Sequence, residues 1–162
     1  MKKAILIFLV ITGVCLAVVS YFWDRSYFLC PIDYKGEILI RSDARGDGLF
    51  AASRNGRRLH EGIDLFAPVG ALVKAGRGGI VASTKENKGM GKYVVIRNPG
   101  GLTTVYGHLS RIYVRKGEFV RQGRLIAAVG KTGNARFRDI QPHLHLEIRK
   151  DGVPQDPLAY LK

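Results

Sequence analysis

The chain has 162 residues, with 26 Lys or Arg against 13 Asp or Glu and a formal net charge of +13 at pH 7. That length suits one domain with a short appendage, and its two cysteines, Cys15 and Cys30, exclude a disulfide framework. The basic excess favours polyanionic surroundings, but no recognition-helix signature, zinc-finger spacing or aromatic RNA-binding motif accompanies it, so nucleic acid is not the expected partner.

At the N-terminus, Lys2 and Lys3 precede an uncharged run of 20 residues, "AILIFLVITGVCLAVVSYFW" (Ala4 to Trp23). As a helix it would span about 30 Å, the thickness of a bilayer's hydrocarbon core, so the sequence predicts one N-terminal transmembrane helix over residues 1–23. Tyr21, Phe22 and Trp23 suit an interfacial aromatic belt. The alternative is a cleaved signal sequence, whose apolar region usually runs about 7 to 15 residues and ends in an A-x-A-like site; Val18-x-Ser20 is a poor version of one. On either reading the two lysines stay in the cytoplasm and the residues beyond 23 are exported. That exported part carries 24 basic and all 13 acidic residues, a formal +11, and its expected surroundings are anionic lipid or anionic envelope polymers. Cys15 lies inside the apolar run and Cys30 outside it, which opposes an intramolecular disulfide. Valine rather than a small residue precedes Cys15, which opposes lipid modification there.

Residues 24–44 read as a juxtamembrane linker ending in a first short strand, "EILI" (Glu37 to Ile40). From there, β-branched and aromatic runs such as "GIVAST", "KYVVIRN", "LTTVYGHL", "RLIAAVG" and "HLHLEIRK" are cut by glycine at short intervals. This predicts an all-β domain, a compact antiparallel sheet of sandwich or barrel-like form. No long helical period follows residue 23.

The chain has four histidines: His60, His108, His143 and His145. In "PHLHLEI" the period of two puts His143 and His145 on one face of a strand and Leu144 and Leu146 on the other. Glu147 shares the histidine face, either orienting a ring or, more simply, as a solvated surface carboxylate. In "HEGID", His60 and Asp64 would sit about 13 Å apart on a straight strand, too far to share an ion whose ligands lie about 2 Å from it. The segment must therefore bend; Gly62 offers the conformational freedom and Pro68 stops a helix. Catalytic zinc sites commonly draw three ligands from His and Asp or Glu. His60, Asp64 and one of His143 and His145 make such a set; spacing alone does not say which. Read alone, His108 in "VYGHLS" is a structural histidine as readily as a catalytic one.

Taken together, "HEGID", "YGHLS" and "HLH", with the lead-in from "GDGLFAASRNGRRL", resemble the lysostaphin/LytM-type zinc metallopeptidases over residues 45 to 161. The resemblance implies a zinc metallopeptidase domain over 45–162 with one Zn2+ held by His60, Asp64 and His145, and His108 and His143 as catalytic residues. One would take the proton of the attacking water and the other would hydrogen-bond the oxyanion, with His143 the base in the first arrangement and the roles exchangeable. The implied substrate is a peptide cross-link or stem in bacterial peptidoglycan. The rival readings are a non-catalytic wall-binding or amidase-activating domain, as in relatives that have lost ligands, and a basic polyanion-binding module. The presence of all five residues favours the enzyme. The chain departs from the family at "GNARFRDIQPHLH", a longer loop carrying Arg136, Phe137 and Arg138, which bears on substrate preference rather than on metal binding. Arg58 and Tyr106 are candidates to touch substrate.

Overall fold

The computed structural model describes residues 2–22, 27–54 and 56–162. It opens with one helix, α1 (Lys2–Phe22), 21 residues long, in which Thr12 Oγ1 donates to the Phe8 carbonyl at 2.8 Å. Among the described residues no helix is long and apolar enough to cross a membrane, so the expected transmembrane helix has no support from the structure. Trp23 lies outside the described residues.

Two short hairpins come next, β1 (Ser42–Asp43) with β2 (Gly46–Asp47) and β3 (Ser53–Arg54) with β4 (Arg58–Leu59). The remaining strands are β5 (Ile63–Phe66), β6 (Leu72–Lys74), β7 (Gly79–Asn87), β8 (Gly91–Asn98), β9 (Leu102–Ile112), β10 (Phe119–Val120), β11 (Leu125–Val129), β12 (His143–Lys150) and β13 (Val153–Gln155). They form one antiparallel sheet of nine strands in the order β10-β7-β8-β9-β11-β6, with β12 also paired to β9 and carrying β5 and β13. The fold is mostly β, as the strand pattern predicts. The sheet stays open between its edge strands β10 and β6, which corrects the barrel-like part of that expectation.

The period of two in β12 positions the site. Leu144, Leu146 and Ile148 are buried in the apolar clusters, each worth about 1.5–3 kcal/mol, and this fixes His143, His145 and Glu147 on the opposite face. Tyr106 is fully buried in the same core and its hydroxyl accepts from the Gly76 N–H at 2.9 Å, so it is a structural residue rather than a substrate contact.

Strand β9 changes partner at its middle. Residues 102–107 pair with β12, whereas 109–112 pair with β11. At the switch two β9 residues, Gly107 and His108, oppose one of β8, Tyr93, since Tyr106 pairs with Val94 and Leu109 with Lys92. His108 occupies this bulge at φ 59°, a left-handed conformation that a non-glycine residue rarely adopts, and its N–H bonds the Met90 carbonyl at 2.8 Å. A bulge re-aims a side chain, and here it re-aims the third histidine.

The segment expected to be a linker is, from residue 27 to 44, tied to the domain. Leu29 N–H donates to Gly76 O, Arg41 N–H to Asp64 O and Phe66 N–H to Leu39 O, each at 2.8 Å, and the Tyr34 hydroxyl donates to Phe66 O at 2.7 Å. Phe28 bridges to Leu161 and meets the Tyr160 ring edge-on. Residues 37–40 do not form the expected strand: Ile40 alone makes an isolated bridge, to Leu65. Residues 24–26 lie outside the described residues.

Candidate metal centre

Asp64 of β5 stands opposite His145 of β12, and His145 stands opposite Gly107 of β9. Three adjacent strands thus set a carboxylate, an imidazole and the His108 bulge side by side. His60 joins them through the bend at Glu61–Gly62. Gly62 is not in the left-handed region, so the expected need for unusual backbone angles is corrected. A Cβ at Gly62 would lie 2.2 Å from the Leu146 carbonyl oxygen, and glycine is required because the chain passes hard against β12.

The donor atoms converge. His60 Nε2 lies 3.0 Å from His145 Nδ1 and 3.2 Å from Asp64 Oδ1, and His145 Nδ1 lies 2.8 Å from Asp64 Oδ1. A tetrahedral zinc ion with ligands about 2.0–2.1 Å away separates them by about 3.3 Å, so this donor set fits such an ion with small adjustment. Each ligand's other polar atom is already engaged. His60 Nδ1 faces the Leu49 carbonyl at 2.8 Å, which accepts only from an N–H, so Nε2 carries the lone pair. His145 Nε2 faces Glu147 Oε1 at 3.1 Å. Asp64 Oδ2 accepts from Arg41 Nη2 at 3.0 Å and Arg54 Nη2 at 2.9 Å, which leaves Oδ1 for a metal. Such partners fix ring orientation and ligand basicity.

His60, Asp64 and His145 are all buried. Burial would raise the Asp64 carboxyl, but hydrogen bonds from His145 and His60 outweigh it and hold the group well below the usual carboxylate range. For His145 burial would lower the pKa, yet its contacts with Asp64 and Glu147 push it up to about 9.

His143 and His108 flank this set. Their rings meet edge to face at 4.8 Å between centroids, and the His108 ring lies 5.8 Å from that of His145. His143 Nδ1 donates to Gln141 O at 2.7 Å and His108 Nδ1 to Thr132 O at 3.0 Å. Each neutral ring therefore presents an unprotonated Nε2; that of His143 is 3.8 Å from Asp64 Oδ1. Burial, reinforced by His143 and His145, lowers His108 to about 3. Burial also lowers His143, against the opposing pull of Asp64.

All five predicted residues line one cleft of about 1190 Å³, together with Arg58 of β4 and with Phe137 and Ile140 of the long loop. Sequence reasoning missed Arg41, Arg54 and Arg149. Arg41 lay in the supposed linker, and nothing in its local pattern points to Asp64. Arg149 bridges Glu147 Oε2 at 2.7 Å and Glu61 Oε2 at 2.6 Å. Glu147 is 5% exposed and faces His145 Nε2, which corrects its reading as a solvated carboxylate in favour of the alternative that strand parity offered, a carboxylate orienting a ring.

The family model described as Peptidase family M23 matches residues 58–157. The chain is 39% identical over 131 residues to peptidoglycan DD-endopeptidase ShyA of Vibrio cholerae, covering 81% of this chain and 29% of ShyA. Among solved structures, a zinc containing peptidase from Vibrio cholerae superposes with a TM-score of 0.66 at 30% identity, over 83% of this chain and 40% of that one. SpoIIQ in its complex with SpoIIIAH gives a TM-score of 0.66 at 26% identity, over 82% of this chain and 99% of that one. The chain thus spans under a third of ShyA's length, and the family-model match over residues 58–157 takes in His60, Asp64, His108, His143 and His145. On sequence and on fold alike, the chain belongs to peptidase family M23.

Proposed function

We propose that the chain is a zinc endopeptidase that hydrolyses peptide bonds in peptidoglycan outside the cytoplasm. The observation that carries this reading is the convergence of His60 Nε2, Asp64 Oδ1 and His145 Nδ1 within 3.2 Å of one another, with two more histidines beside them. His60, Asp64 and His145 would hold the zinc ion, which when bound would lower the pKa of a water to about 7 and polarise the scissile carbonyl.

The rest follows from the chain's own groups. His143, its Nδ1–H committed to Gln141 O, accepts the water's proton at Nε2 and can return it to the leaving amine. His108 is tied in the same way to Thr132 O, so in its neutral form Nε2 is an acceptor, and it donates to an oxyanion only after gaining a proton. His143, whose Nε2 lies 3.8 Å from Asp64 Oδ1, is the first acceptor in this reading. Glu147 and Leu49 O hold the two ligand rings in the tautomers a metal requires. The apolar run from Ala4 to Trp23 supports tethering of the domain to a membrane, and the name of ShyA supports peptidoglycan as substrate.

A non-catalytic, partner-binding role is the second reading, favoured by the likeness to SpoIIQ in its complex with SpoIIIAH; possession of all five polar residues argues against it. The test is to incubate the full chain, zinc-loaded in detergent, with isolated peptidoglycan and to read released fragments by mass spectrometry beside His143→Ala. Fragments from the wild type, reduced at least a hundredfold in the variant, support the enzyme. Bound zinc with no release from either supports the partner-binding role.

A further inference from the structure

The cleft lining holds more guanidinium groups than its carboxylates can satisfy. Arg41, Arg45, Arg54, Arg57, Arg58 and Arg149 line it, against Asp64, Glu61 and Glu147. Every one of those carboxylates is engaged: Asp64 by Arg41 and Arg54, and Glu61 and Glu147 by Arg149. Arg45 pairs with Asp139. Among the described residues, Arg57 and Arg58 make no ion pair, and both are exposed.

The surplus is locally unfavourable. Arg58 is the direct cross-strand partner of Arg54 in the β3–β4 hairpin, and like charges in that position repel. A dication held by His60, Asp64 and His145 adds to the same positive field. Violations of a local rule concentrate where function requires them, and each of these two exposed guanidiniums lining the cleft can bind a carboxylate through two parallel N–H donors.

We propose that Arg57 and Arg58 form a subsite for a free carboxylate of the peptide substrate, so that the cleft selects acidic peptides over their neutral counterparts. The proposal rests on the peptidase reading and names its substrate class.

The test compares muropeptide dimers carrying free carboxylates with the same dimers after carbodiimide-mediated amidation, using the zinc-loaded full chain in detergent and following release of new amines. The expected kcat/KM of the wild type is about tenfold higher on the free-acid form. In Arg57→Ala/Arg58→Ala that ratio falls toward one through KM, with zinc content unchanged, while Arg58→Lys keeps most of it. Equal rates on the two substrates by the wild type would overturn the proposal and leave the peptidase reading standing. So would an unchanged ratio in the double variant, including a case where that variant loses only its retention on a phosphate-rich polymer. Cleavage of neither substrate by the wild type would remove the peptidase reading and this one with it.

Discussion

Glu147 shows what a single buried carboxylate contributes to the site. Its Oε1 faces His145 Nε2 and its Oε2 is held by Arg149, so His145 Nδ1 is the nitrogen turned to Asp64. Glu147→Ala is expected to weaken zinc binding about 10- to 100-fold, measured by competition with a chelator of known affinity, whereas Glu147→Gln, which keeps an acceptor, loses less. Equal affinity in the Ala variant would mean that packing alone orients the ring. Asp43 works at one remove. Its Oδ1 accepts from Arg41 and its Oδ2 from the Gln141 N–H, so it braces both the guanidinium on Asp64 and the carbonyl on His143. Burial would raise its pKa, but Arg41 and the Gln141 and Arg45 N–H groups hold it below the usual value. A carboxylate depressed in the folded state contributes stability above its unfolded pKa of about 3.9, and that contribution fades as pH falls through the folded value. Asp43→Asn should therefore cost about 1–3 kcal/mol at pH 7, and the difference should shrink below about pH 4 in urea titrations. A difference independent of pH would assign the effect to shape instead of charge.

At the scale of elements, the strands that carry the histidines follow a rule the sequence states openly. "HLHLEI" alternates, its leucines are core, and the histidine face follows from parity alone. The β9 bulge is not legible in this way: nothing in "VYGHLS" says that a histidine will adopt a positive φ, because the bulge is imposed by β9 having to serve β12 and β11 in turn. The segment 37–40 misled for a related reason. It has strand composition and does bond the free edge of β5, through Phe66 N–H to Leu39 O and Arg41 N–H to Asp64 O, but Gly48 O takes the Asp64 N–H, so the pairing stops at a bridge at Ile40. Arg41 and Arg54 were invisible because their partner, Asp64, is remote in sequence and is brought near by β5. Gly62 was noticed for its flexibility, whereas its role is close approach. Gly62→Ala puts a methyl group into the Leu146 carbonyl and is expected to cost about 2 kcal/mol or more while also weakening zinc binding, since β5 must shift away from β12. A variant with wild-type stability and zinc affinity would show that the two strands have slack.

For the whole molecule, the sequence supplied the β class, the five polar residues and the apolar N-terminal run, and the structure added the open sheet and the docking of residues 27–44. The docked segment delivers Arg41 to Asp64, so removing residues 27–44 is expected to lower the affinity of the proposed site for zinc and not merely to free the domain from a tether. If the run from Ala4 to Trp23 anchors the chain, alkaline carbonate should leave the protein in the membrane pellet; its appearance in the supernatant would reject the anchor. The central claim is that the fold assembles one metal site from His60, Asp64 and His145. It is tested most directly by zinc content per chain after reconstitution and desalting, compared between the wild type and His145→Ala. The account predicts one zinc per wild-type chain and close to none in the variant. One zinc retained by His145→Ala, or none in the reconstituted wild type, would contradict it.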